Sequence, residues 1–267
     1  MDAKRYGPAA WEREVPSHGP VGRVAVISDV HANVPALEAV LAEIALAQVD
    51  LVVSCGDLTW GAEPDRTVEL IAALGTRAVC VRGNGDRAVI ELAQGARMTA
   101  RPREAWMATR HSAASVEFVA AFPFSVIVQI DGLGAVRFCH GSPHSDTEVV
   151  TPQTPEQRFA ELASGLEERI LVTGHTHLQF DRQVAGRRSV NPGSVGIPFH
   201  TEAPGTAYWA LFAEDVELRQ TSYDVSGAVE AGRLVGDPAA ETIERLLIVP
   251  PHPREIIEEA ESLVFTD

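Results

Sequence analysis

Short apolar segments of this chain, each typical of a β-strand, end repeatedly at residues able to bind a metal ion. Six patches carry these polar residues, and the first five of them end or closely follow such a segment. They are Asp29-Val30-His31, Gly56-Asp57, Gly83-Asn84-Gly85-Asp86, His140-Gly141, Gly174-His175-Thr176-His177 and Asn191-Pro192-Gly193-Ser194. Seven Asp, Asn and His donors, two of them carboxylates, suit a pair of divalent cations better than a single one.

The first half of the sequence alternates strand and helix patterns. Strands are predicted at residues 23–28, 51–55 and 78–82, and helices are predicted from Pro35 onward and at residues 67–74. In the first helix, apolar residues recur at the spacing of one helix face. This β-α-β-α-β order predicts a mainly parallel sheet flanked by helices.

The second half is richer in strand patterns. After a helical stretch at about residues 87–122, alternation on both sides of Gly132-Leu133-Gly134 predicts a hairpin. Further strands are predicted at residues 170–173, 188–191, 208–212 and 216–222. We therefore expect an α+β fold in which two sheets pack together with helices outside.

The domain itself is predicted to span residues 21–225. Residues 1–20 are rich in Pro, Gly and charge, which indicates an N-terminal extension with Trp11 as its candidate anchor. Residues 226–267 are predicted to form a helical tail that packs on the same domain, with a terminal helix at residues 255–263 whose acidic side faces solvent.

The overall charge restricts the partners of the chain. With 37 acidic and 22 basic residues among 267, the formal net charge is −15, which repels long nucleic acids and anionic membranes. A small phosphoester can still bind, because bound cations dominate the local field. Since no apolar stretch reaches transmembrane length and no signal peptide is evident, the expected location is the cytoplasm. Cys55, Cys80 and Cys139 are expected to be buried, reduced thiols.

Each polar patch has an ordinary explanation when it is taken alone. An Asp after a strand is most often a turn residue or a helix cap, and a lone His is more often a hydrogen-bonded core residue than a ligand. The Gly-His-Thr-His stretch is moderately specific. The combination of all patches, in this order and at successive strand ends, is what favours a metal site, and paired cations activate water for attack on phosphorus.

The order Asp-x-His, Gly-Asp, Gly-Asn-x-Asp, His-Gly and Gly-His-x-His resembles the calcineurin-like metallophosphoesterase superfamily. The stretch His140-Gly141-Ser142-Pro143, together with residues 172–177 and 190–196, narrows this resemblance to the small bacterial and archaeal phosphodiesterase branch. The resemblance covers about residues 23–225. It implies a four-layer αββα sandwich of two mixed β-sheets flanked by helices, with a dimetal site at the strand ends.

The resemblance also implies a role for each donor. One cation would be held by Asp29, His31 and His177, the other by Asn84, His140 and His175, and both would be bridged by Asp57. A metal-bound hydroxide would be the nucleophile, and the implied catalytic residues are Asn84, Asp86 and His140. Mixed oxygen and imidazole donors favour Mn²⁺, with Fe, Zn²⁺, Ni²⁺ and Mg²⁺ as the alternatives.

One position departs from the family pattern. Gly85 stands where many members have a His that helps to protonate the leaving group, so the source of that proton is open. His200 is one candidate replacement. The other predicted substrate contacts are Arg87, beside the Gly-Asn-Gly-Asp turn, and His144, after the His-Gly-Ser-Pro turn.

The sequence leaves two explanations open for the role of several nearby residues. Arg82 shares the position beside the turn with Arg87, and surface charge balance is the alternative to phosphate binding for both. Asp146 and Glu148 either contact substrate or lie in a solvated loop. Asn191 and Ser194 are expected to shape a tight turn near the metals.

These patterns predict a dimetal hydrolase of phosphodiesters or activated phosphomonoesters, whose partner is a small, nucleotide-like phosphoester. A Ser/Thr protein phosphatase is the alternative enzyme. A non-catalytic scaffold on the same fold, such as the retromer subunit, is the alternative class, and the presence of all seven donors argues against it. The natural substrate, the native metal and the oligomeric state, including a homo-oligomer, stay open.

Overall fold

The first sheet forms around a strand that is buried on both faces. The computed structural model describes residues 2–8 and 14–266, so the predicted role of Trp11 lies outside the described residues. In this sheet β3 (Val24–Ile27) pairs in parallel with β4 (Leu51–Ser54), which pairs in parallel with β5 (Ala78–Cys80). On its other side lie the antiparallel β11 (Thr206–Phe212) and β12 (Val216–Ser222).

Helices follow the central strands as the sequence pattern predicts. α1 (Val34–Leu46) begins after Asn33, whose Oδ1 accepts a hydrogen bond from the backbone N–H of Ala36. α2 (Pro64–Ala72) precedes β5, and α3 (Asn84–Ala93) begins four residues after that strand ends. The short helices α4 (Pro102–Met107) and α5 (Ala113–Ala120) complete the predicted helical stretch. The β-α-β-α-β prediction is therefore confirmed.

The second sheet has six strands. One of its edge strands is β2 (Ser17–Val21), which pairs with β6 (Ser125–Ile130). The predicted hairpin is β6 (Ser125–Ile130) with β7 (Gly134–Cys139), and β8 (Ile170–Val172) pairs in parallel with β7. β10 (Arg187–Pro192) separates β8 from the edge strand β9 (Gln179–Val184). Neither β9 nor α6 (Glu156–Leu162) was predicted, because both are short and bury only two apolar residues each.

The two sheets pack against each other through a shared apolar layer. This layer includes Val26 and Val53 from the first sheet and Phe138 and Val172 from the second. The opposite faces are covered by helices, with α1 packed on the first sheet and α6 on the second. The fold is thus α+β, with two mixed sheets flanked by helices, as predicted.

Both termini join this framework. Within the segment predicted to be an extension, β1 (Asp2–Lys4) pairs with β13 (Val264–Thr266), and β2 (Ser17–Val21) is the edge strand beside β6. The tail forms α7 (Val225–Leu234), α8 (Ala240–Ile248) and α9 (Pro253–Glu261), which bury apolar side chains against the domain. In the described part of the chain, no helix is long and apolar enough to cross a membrane.

Candidate metal centre

The seven predicted donors meet at one edge of the two packed sheets. In the first sheet Asp29 follows β3, Asp57 follows β4 and Asn84 opens the helix after β5. In the second, His140 follows β7, and His175 and His177 follow β8. Asp29 and His140 are almost completely buried, whereas the other five donors line an open cleft of about 720 Å³: His31, Asp57, Asn84, His175 and His177.

The backbone is in the left-handed region at five of these donors. The φ angles are 52° at Asp29, 49° at His31, 51° at Asp57, 66° at His175 and 57° at His177. Each such residue costs on the order of 1–3 kcal/mol and persists only where its surroundings hold it. Here the loops hold each other, because the N–H of Asp29 donates to the Gly56 carbonyl and that of His31 to the Asp57 carbonyl.

The first group of donors surrounds one oxygen of Asp29. Its Oδ1 lies 3.3 Å from His177 Nε2 and 4.0 Å from His31 Nε2, and the two imidazole nitrogens are 3.1 Å apart. This oxygen is buried and has no hydrogen-bond partner among the described residues. The other oxygen, Oδ2, accepts hydrogen bonds from Ser28 Oγ and the His175 N–H. An orphaned carboxylate oxygen facing two nitrogen lone pairs fits a divalent cation.

The second group surrounds His140. Its Nε2 lies 2.9 Å from Asn84 Oδ1 and 3.5 Å from Asp57 Oδ1, and the His175 ring is 4.9 Å away, centroid to centroid. The other oxygen of Asp57, Oδ2, lies 3.9 Å from His31 Nε2 in the first group. Asp57 therefore directs one oxygen toward each group, which is the arrangement that a bridging ligand needs.

Hydrogen bonds fix the tautomer of three of the imidazoles. The Nδ1 atoms of His31, His140 and His177 lie 3.2, 2.8 and 2.6 Å from the backbone carbonyls of Trp60, Cys55 and Ile197. A carbonyl only accepts, so each Nδ1 carries a hydrogen, and in the neutral imidazole each Nε2 presents its lone pair to the centre. Metal-binding histidines characteristically use their second nitrogen in this way.

The protonation of the imidazoles divides them into two pairs. Burial lowers the pKa of His31 and that of His175 to about 3, so both are neutral at pH 7. Burial also opposes the charged forms of His140 and His177, but the carboxylates of Asp57 and Asp29 outweigh it and raise both pKa values above the ordinary value. Burial and the nearby Asp29 raise the pKa of Asp57. In the absence of cations, burial therefore disfavours the charged forms of His31, His175 and Asp57. The neighbouring carboxylates favour the protonated forms of His140 and His177.

Asp86, predicted to be catalytic, has a different surrounding from the donors. It is fully buried, and its Oδ1 accepts hydrogen bonds from the N–H groups of Leu58 and Thr59 while Oδ2 accepts one from Gly83. These bonds tie the loop that carries Asp57 to the start of α3, which carries Asn84. The geometry favours a positioning role for Asp86 over the predicted catalytic role.

Gly85 lies in the first turn of α3, outside the left-handed region, and its N–H donates to Asp57 Oδ1 at 2.7 Å. A Cβ at this position would lie 3.0 Å from the same oxygen and 3.1 Å from the Cβ of Trp60. A larger side chain therefore fits only if Trp60 or Asp57 shifts by a few tenths of an ångström.

Arg87 lines the cleft but is already engaged in ion pairs. Its Nε and Nη2 contact the two oxygens of Asp146 at 2.7 and 3.1 Å, and its guanidinium lies 3.6 Å from the ring centroid of Tyr6. Asp146 and Glu148 are 1% and 2% exposed and do not lie in a solvated loop. Glu148 accepts hydrogen bonds from Arg5, Arg158 and Ser142. Neither carboxylate is among the residues that line the cleft.

Two predicted histidines are not brought to the centre. His144 is exposed, and its Nε2 lies 3.2 Å from the carbonyl of Ser164. His200 lies in a separate pocket, where its Nδ1 accepts a hydrogen bond from the Glu202 N–H and its ring packs on Tyr208. The structure therefore does not support His144 or His200 as substrate contacts, nor His200 as the proton donor.

The Asn-Pro-Gly-Ser turn supports the centre, as expected. Asn191 Nδ2 donates to the Gly174 carbonyl, and its Oδ1 accepts from the Gly193 N–H. Ser194 Oγ donates to the carbonyl of Asp29. This turn thus connects the two strand-end loops that carry Asp29 and His175.

The sequence analysis missed most of the side chains that form the rest of the cleft. We call this set the outer wall: Lys4, Tyr6, Trp60, Arg87, Arg97, Arg101, Arg103 and Phe199. One usable signal was present, since Arg97, Arg101 and Arg103 lie close together in a chain with few basic residues. Phe199 stacks on the His177 ring at 5.1 Å, so the wall continues directly from the donors.

Comparison with known proteins agrees with this geometry. The family model described as the calcineurin-like phosphoesterase superfamily domain matches residues 23–213. An uncharacterized protein of Methanocaldococcus jannaschii is 26% identical over 230 residues, which cover 78% of this chain and 90% of that protein. The crystal structure of a metallophosphoesterase from Sphaerobacter thermophilus matches with a TM-score of 0.67 and 27% identity, covering 84% of this chain and 98% of that one. A hypothetical protein from Pyrococcus horikoshii shares the fold, with a TM-score of 0.71 and 20% identity over 86% of this chain and 99% of its own. This chain therefore belongs to the calcineurin-like phosphoesterase superfamily.

Proposed function

We propose that this chain is a dimetal phosphoesterase, acting as a phosphodiesterase or phosphatase on small, nucleotide-like or activated substrates. The observation that carries the proposal is the convergence of imidazole Nε2 atoms on two buried carboxylates, Asp29 and Asp57, at the inner end of an open cleft. Divalent cations bound there would polarise the phosphoryl group and lower the pKa of a coordinated water. The proposed ligands are Asp29, His31, Asp57, Asn84, His140, His175 and His177.

The donor set determines which ions and which substrates suit the site. Two carboxylates do not neutralise two divalent cations, so the centre would keep a positive field for a phosphate group. Four imidazoles among seven donors favour Mn²⁺, Fe, Zn²⁺ or Ni²⁺ over Mg²⁺, which prefers oxygen ligands and its own waters. We propose Mn²⁺ as the working metal.

The residue at position 85 gives the proposed reaction a leaving-group preference. Among the described residues that line the cleft, the histidines are His31, His175 and His177, and all three belong to the donor set. No other imidazole is available there to protonate the leaving oxygen. Aryl esters and polyphosphate leaving groups, which are stable as anions, are therefore the preferred substrates.

The test is a metal-reconstitution assay. Metal-stripped protein is supplied with Mn²⁺, Mg²⁺, Zn²⁺ or Ni²⁺, and hydrolysis of bis(4-nitrophenyl) phosphate and 4-nitrophenyl phosphate is followed beside elemental analysis. We expect two bound ions per chain and the highest turnover with Mn²⁺. His200→Ala, a histidine change outside the cleft, should leave both readouts unchanged. Two bound ions without turnover on any phosphoester would favour the scaffold alternative.

A leaving-group series tests the role assigned to Gly85. In the wild type the rate should fall steeply as the leaving-group pKa rises. Gly85→His should flatten this dependence, within the ~10²–10⁴-fold range of general acid catalysis. Gly85→Ala is the matched control, because it introduces the same Cβ crowding beside Trp60 without an imidazole. A shallow slope in the wild type would mean that another group supplies the proton.

A further inference from the structure

The cleft collects basic side chains in a strongly acidic chain. Five of its lining residues are Lys or Arg and two are Asp or Glu, although the whole chain has a formal net charge of −15. One of the two acidic residues, Asp57, belongs to the metal donors, which leaves Glu104 as the acidic residue of the outer part. The basic side chains are Lys4, Arg87, Arg97, Arg101 and Arg103. The cleft beyond the metal centre is therefore an anion-attracting environment.

Acidic and basic side chains alternate along the outer wall, and they form a row of ion pairs that begins at a buried carboxylate and ends at an exposed arginine. Arg87 is held by Asp146 at 2.7 Å and by Glu91 at 3.1 Å. Glu91 in turn lies 3.7 Å from Arg97. The row continues to Glu104, which is 8% exposed and whose Oε1 contacts Arg97 at 3.0 Å and Arg101 at 3.3 Å. One carboxylate oxygen thus holds two guanidinium groups side by side, and Arg101 ends the row.

Arg101 has most of its hydrogen-bonding capacity directed to solvent. Its side chain is 81% exposed, and its contact with Glu104 uses one of the nitrogens. A guanidinium has five N–H donors in a planar fork that matches a phosphate group. Lys4 also lines the cleft, and its ammonium lies 5.2 Å from the Tyr6 ring centroid. Arg101 and Lys4 are therefore the basic side chains of the outer wall that are most available to bind an anion.

The position of this cluster relative to the metal donors determines the kind of ligand it suits. α3 starts at Asn84 and its 10 residues span ~15 Å, and Arg97 and Arg101 follow its last turn. The cleft is also lined by Arg87 and Ala88, on the first turns of this helix, and by the aromatic side chains of Tyr6 and Trp60. A ligand that contacts both the donors and Arg101 must extend past these side chains, so we expect it to be larger than a single phosphate group.

We propose that Arg101, with Arg97 and Lys4, forms a second anion-binding subsite that holds a further phosphate group of the substrate. The substrate class is then a phosphoester that carries a polyphosphate chain or another phosphate group remote from the reacting one. This inference rests on the proposed function and deepens it, since it names which small phosphoesters the cleft selects.

The test compares ligands that differ only in phosphate number. Adenosine mono-, di- and triphosphate are used as competitive inhibitors of bis(4-nitrophenyl) phosphate hydrolysis, with Mn²⁺ in excess over nucleotide. In the wild type the affinity should rise with phosphate number. Arg101→Ala should raise the Ki of the triphosphate on the order of 10-fold, the loss expected for one charge-assisted hydrogen bond, while leaving the Ki of the monophosphate and the KM of the one-phosphate substrate unchanged.

Arg254→Ala is the matched control. Arg254 is 78% exposed, contacts a single carboxylate, Glu258, at 3.3 Å and adjoins the start of a helix at Pro253, much as Arg101 adjoins Pro102. It does not line the cleft. Its loss should change none of the inhibition constants, which separates a local subsite from a general effect of net charge.

The possible outcomes decide between the proposals. Equal changes for mono- and triphosphate in Arg101→Ala, or no change for either, would overturn the second subsite. If the wild type hydrolyses no phosphoester, the proposed function fails separately. The subsite is then judged by calorimetric titration of the same nucleotides into the Mn²⁺-loaded wild type and Arg101→Ala, where a triphosphate-specific loss of affinity supports it and equal affinities overturn it.

Discussion

The inner end of the cleft and its outer wall are held in place by different means. At the inner end the donors follow strands that are buried on both faces, and five of them have a left-handed backbone. The outer wall consists of side chains on loops, on two helices and on the N-terminal segment, and ion pairs between distant parts of the chain hold some of them. The first arrangement fixes atoms closely, and the second leaves exposed side chains that can adjust to a ligand.

This difference indicates that the two regions contribute different properties to the site. Strained backbone at the inner end persists because the sheets and loops around it are rigid, and rigid placement is what metal coordination requires. A wall of paired arginines tolerates replacement of single residues, because each ion pair near the surface contributes little to stability. We therefore expect changes at the inner end to affect metal content and turnover, and changes in the outer wall to affect substrate choice.

The largest effect is expected for Asp57→Asn. Since each Asp57 oxygen faces a different group of donors, this variant should lose affinity for both cations, and activity should fall by at least ~10³-fold. The metal-free variant should be more stable than the metal-free wild type, because burial and Asp29 raise the pKa of Asp57 and so disfavour its charged form. Elemental analysis and thermal unfolding with and without Mn²⁺ measure both effects.

His31→Ala is the comparison for that variant. Its ring belongs to the first group, so the cation held by Asn84, His140 and His175 should remain. An Asp57→Asn protein that still binds two ions, or a His31→Ala protein that binds none, would contradict the bridging arrangement.

Asp86→Ala should reduce stability more than chemistry. Three buried backbone N–H groups, those of Leu58, Thr59 and Gly83, would lose their acceptor, which costs roughly 2–4 kcal/mol of unfolding free energy. Denaturant unfolding measures this loss, and Asp86→Asn, which keeps one acceptor oxygen, should show a smaller one. If Asp86 only positions the loops, kcat per bound metal ion stays near the wild-type value. A loss of kcat at full metal occupancy in a stable Asp86→Asn protein would restore the catalytic role.

The sequence revealed the inner end because its signals are local. Asp29, Asp57 and His140 each follow an apolar run directly, so strand pattern and donor are adjacent in the chain. The role of Asp86 was not visible in the same way, because the motif contains the residue but does not indicate which backbone groups its oxygens meet.

Most of the outer wall was not predicted, because several of its contacts join residues far apart in the chain. Arg87 pairs with Asp146 over 59 positions and Arg103 with Asp237 over 134. Such pairs form only when the tail and the short helices pack on the domain. The hydrophobic periodicity of these segments does not indicate where they pack. For the same reason β9, with only Phe180 and Val184 buried, gave too weak a pattern to indicate an edge strand.

Metal affinity should fall as the pH is lowered from 8 to 6. Asp57 and Asp29 raise the pKa of His140, and Asp29 raises that of His177, against the opposing effect of burial. A cation must displace these protons at low pH, which weakens binding by up to ~10-fold per pH unit for each proton displaced. His31 and His175, with pKa values of about 3, contribute no such dependence in this range. Calorimetric Mn²⁺ titrations at several pH values measure it.

His200→Ala should leave this pH dependence unchanged, because burial lowers the pKa of His200 and the residue lies outside the cleft. An affinity independent of pH between 6 and 8 would mean that neither His140 nor His177 holds a proton in the metal-free protein.

The smallest effect is expected in the outer wall, at the ion pair that connects it to the tail. Asp237, between α7 and α8, accepts hydrogen bonds from Arg103 Nε at 3.1 Å and Nη2 at 3.0 Å. Arg103 lines the cleft and also a separate recess of about 30 Å³ that His31 lines as well, so this ion pair lies near a predicted metal donor. Because the guanidinium is partly exposed and Asn keeps one acceptor oxygen, Asp237→Asn should cost only ~1 kcal/mol of unfolding free energy.

Metal content and the KM for bis(4-nitrophenyl) phosphate should stay at wild-type values in Asp237→Asn, since no donor depends on the tail for its hydrogen bonds. Arg254→Ala, which breaks an exposed pair with Glu258, is the control and should cost no more than ~0.5 kcal/mol. Denaturant midpoints for the two variants, measured beside elemental analysis, test the comparison directly. If Asp237→Asn released a metal ion, the outer wall would also be holding the inner end in place, and the two regions could no longer be treated as independent.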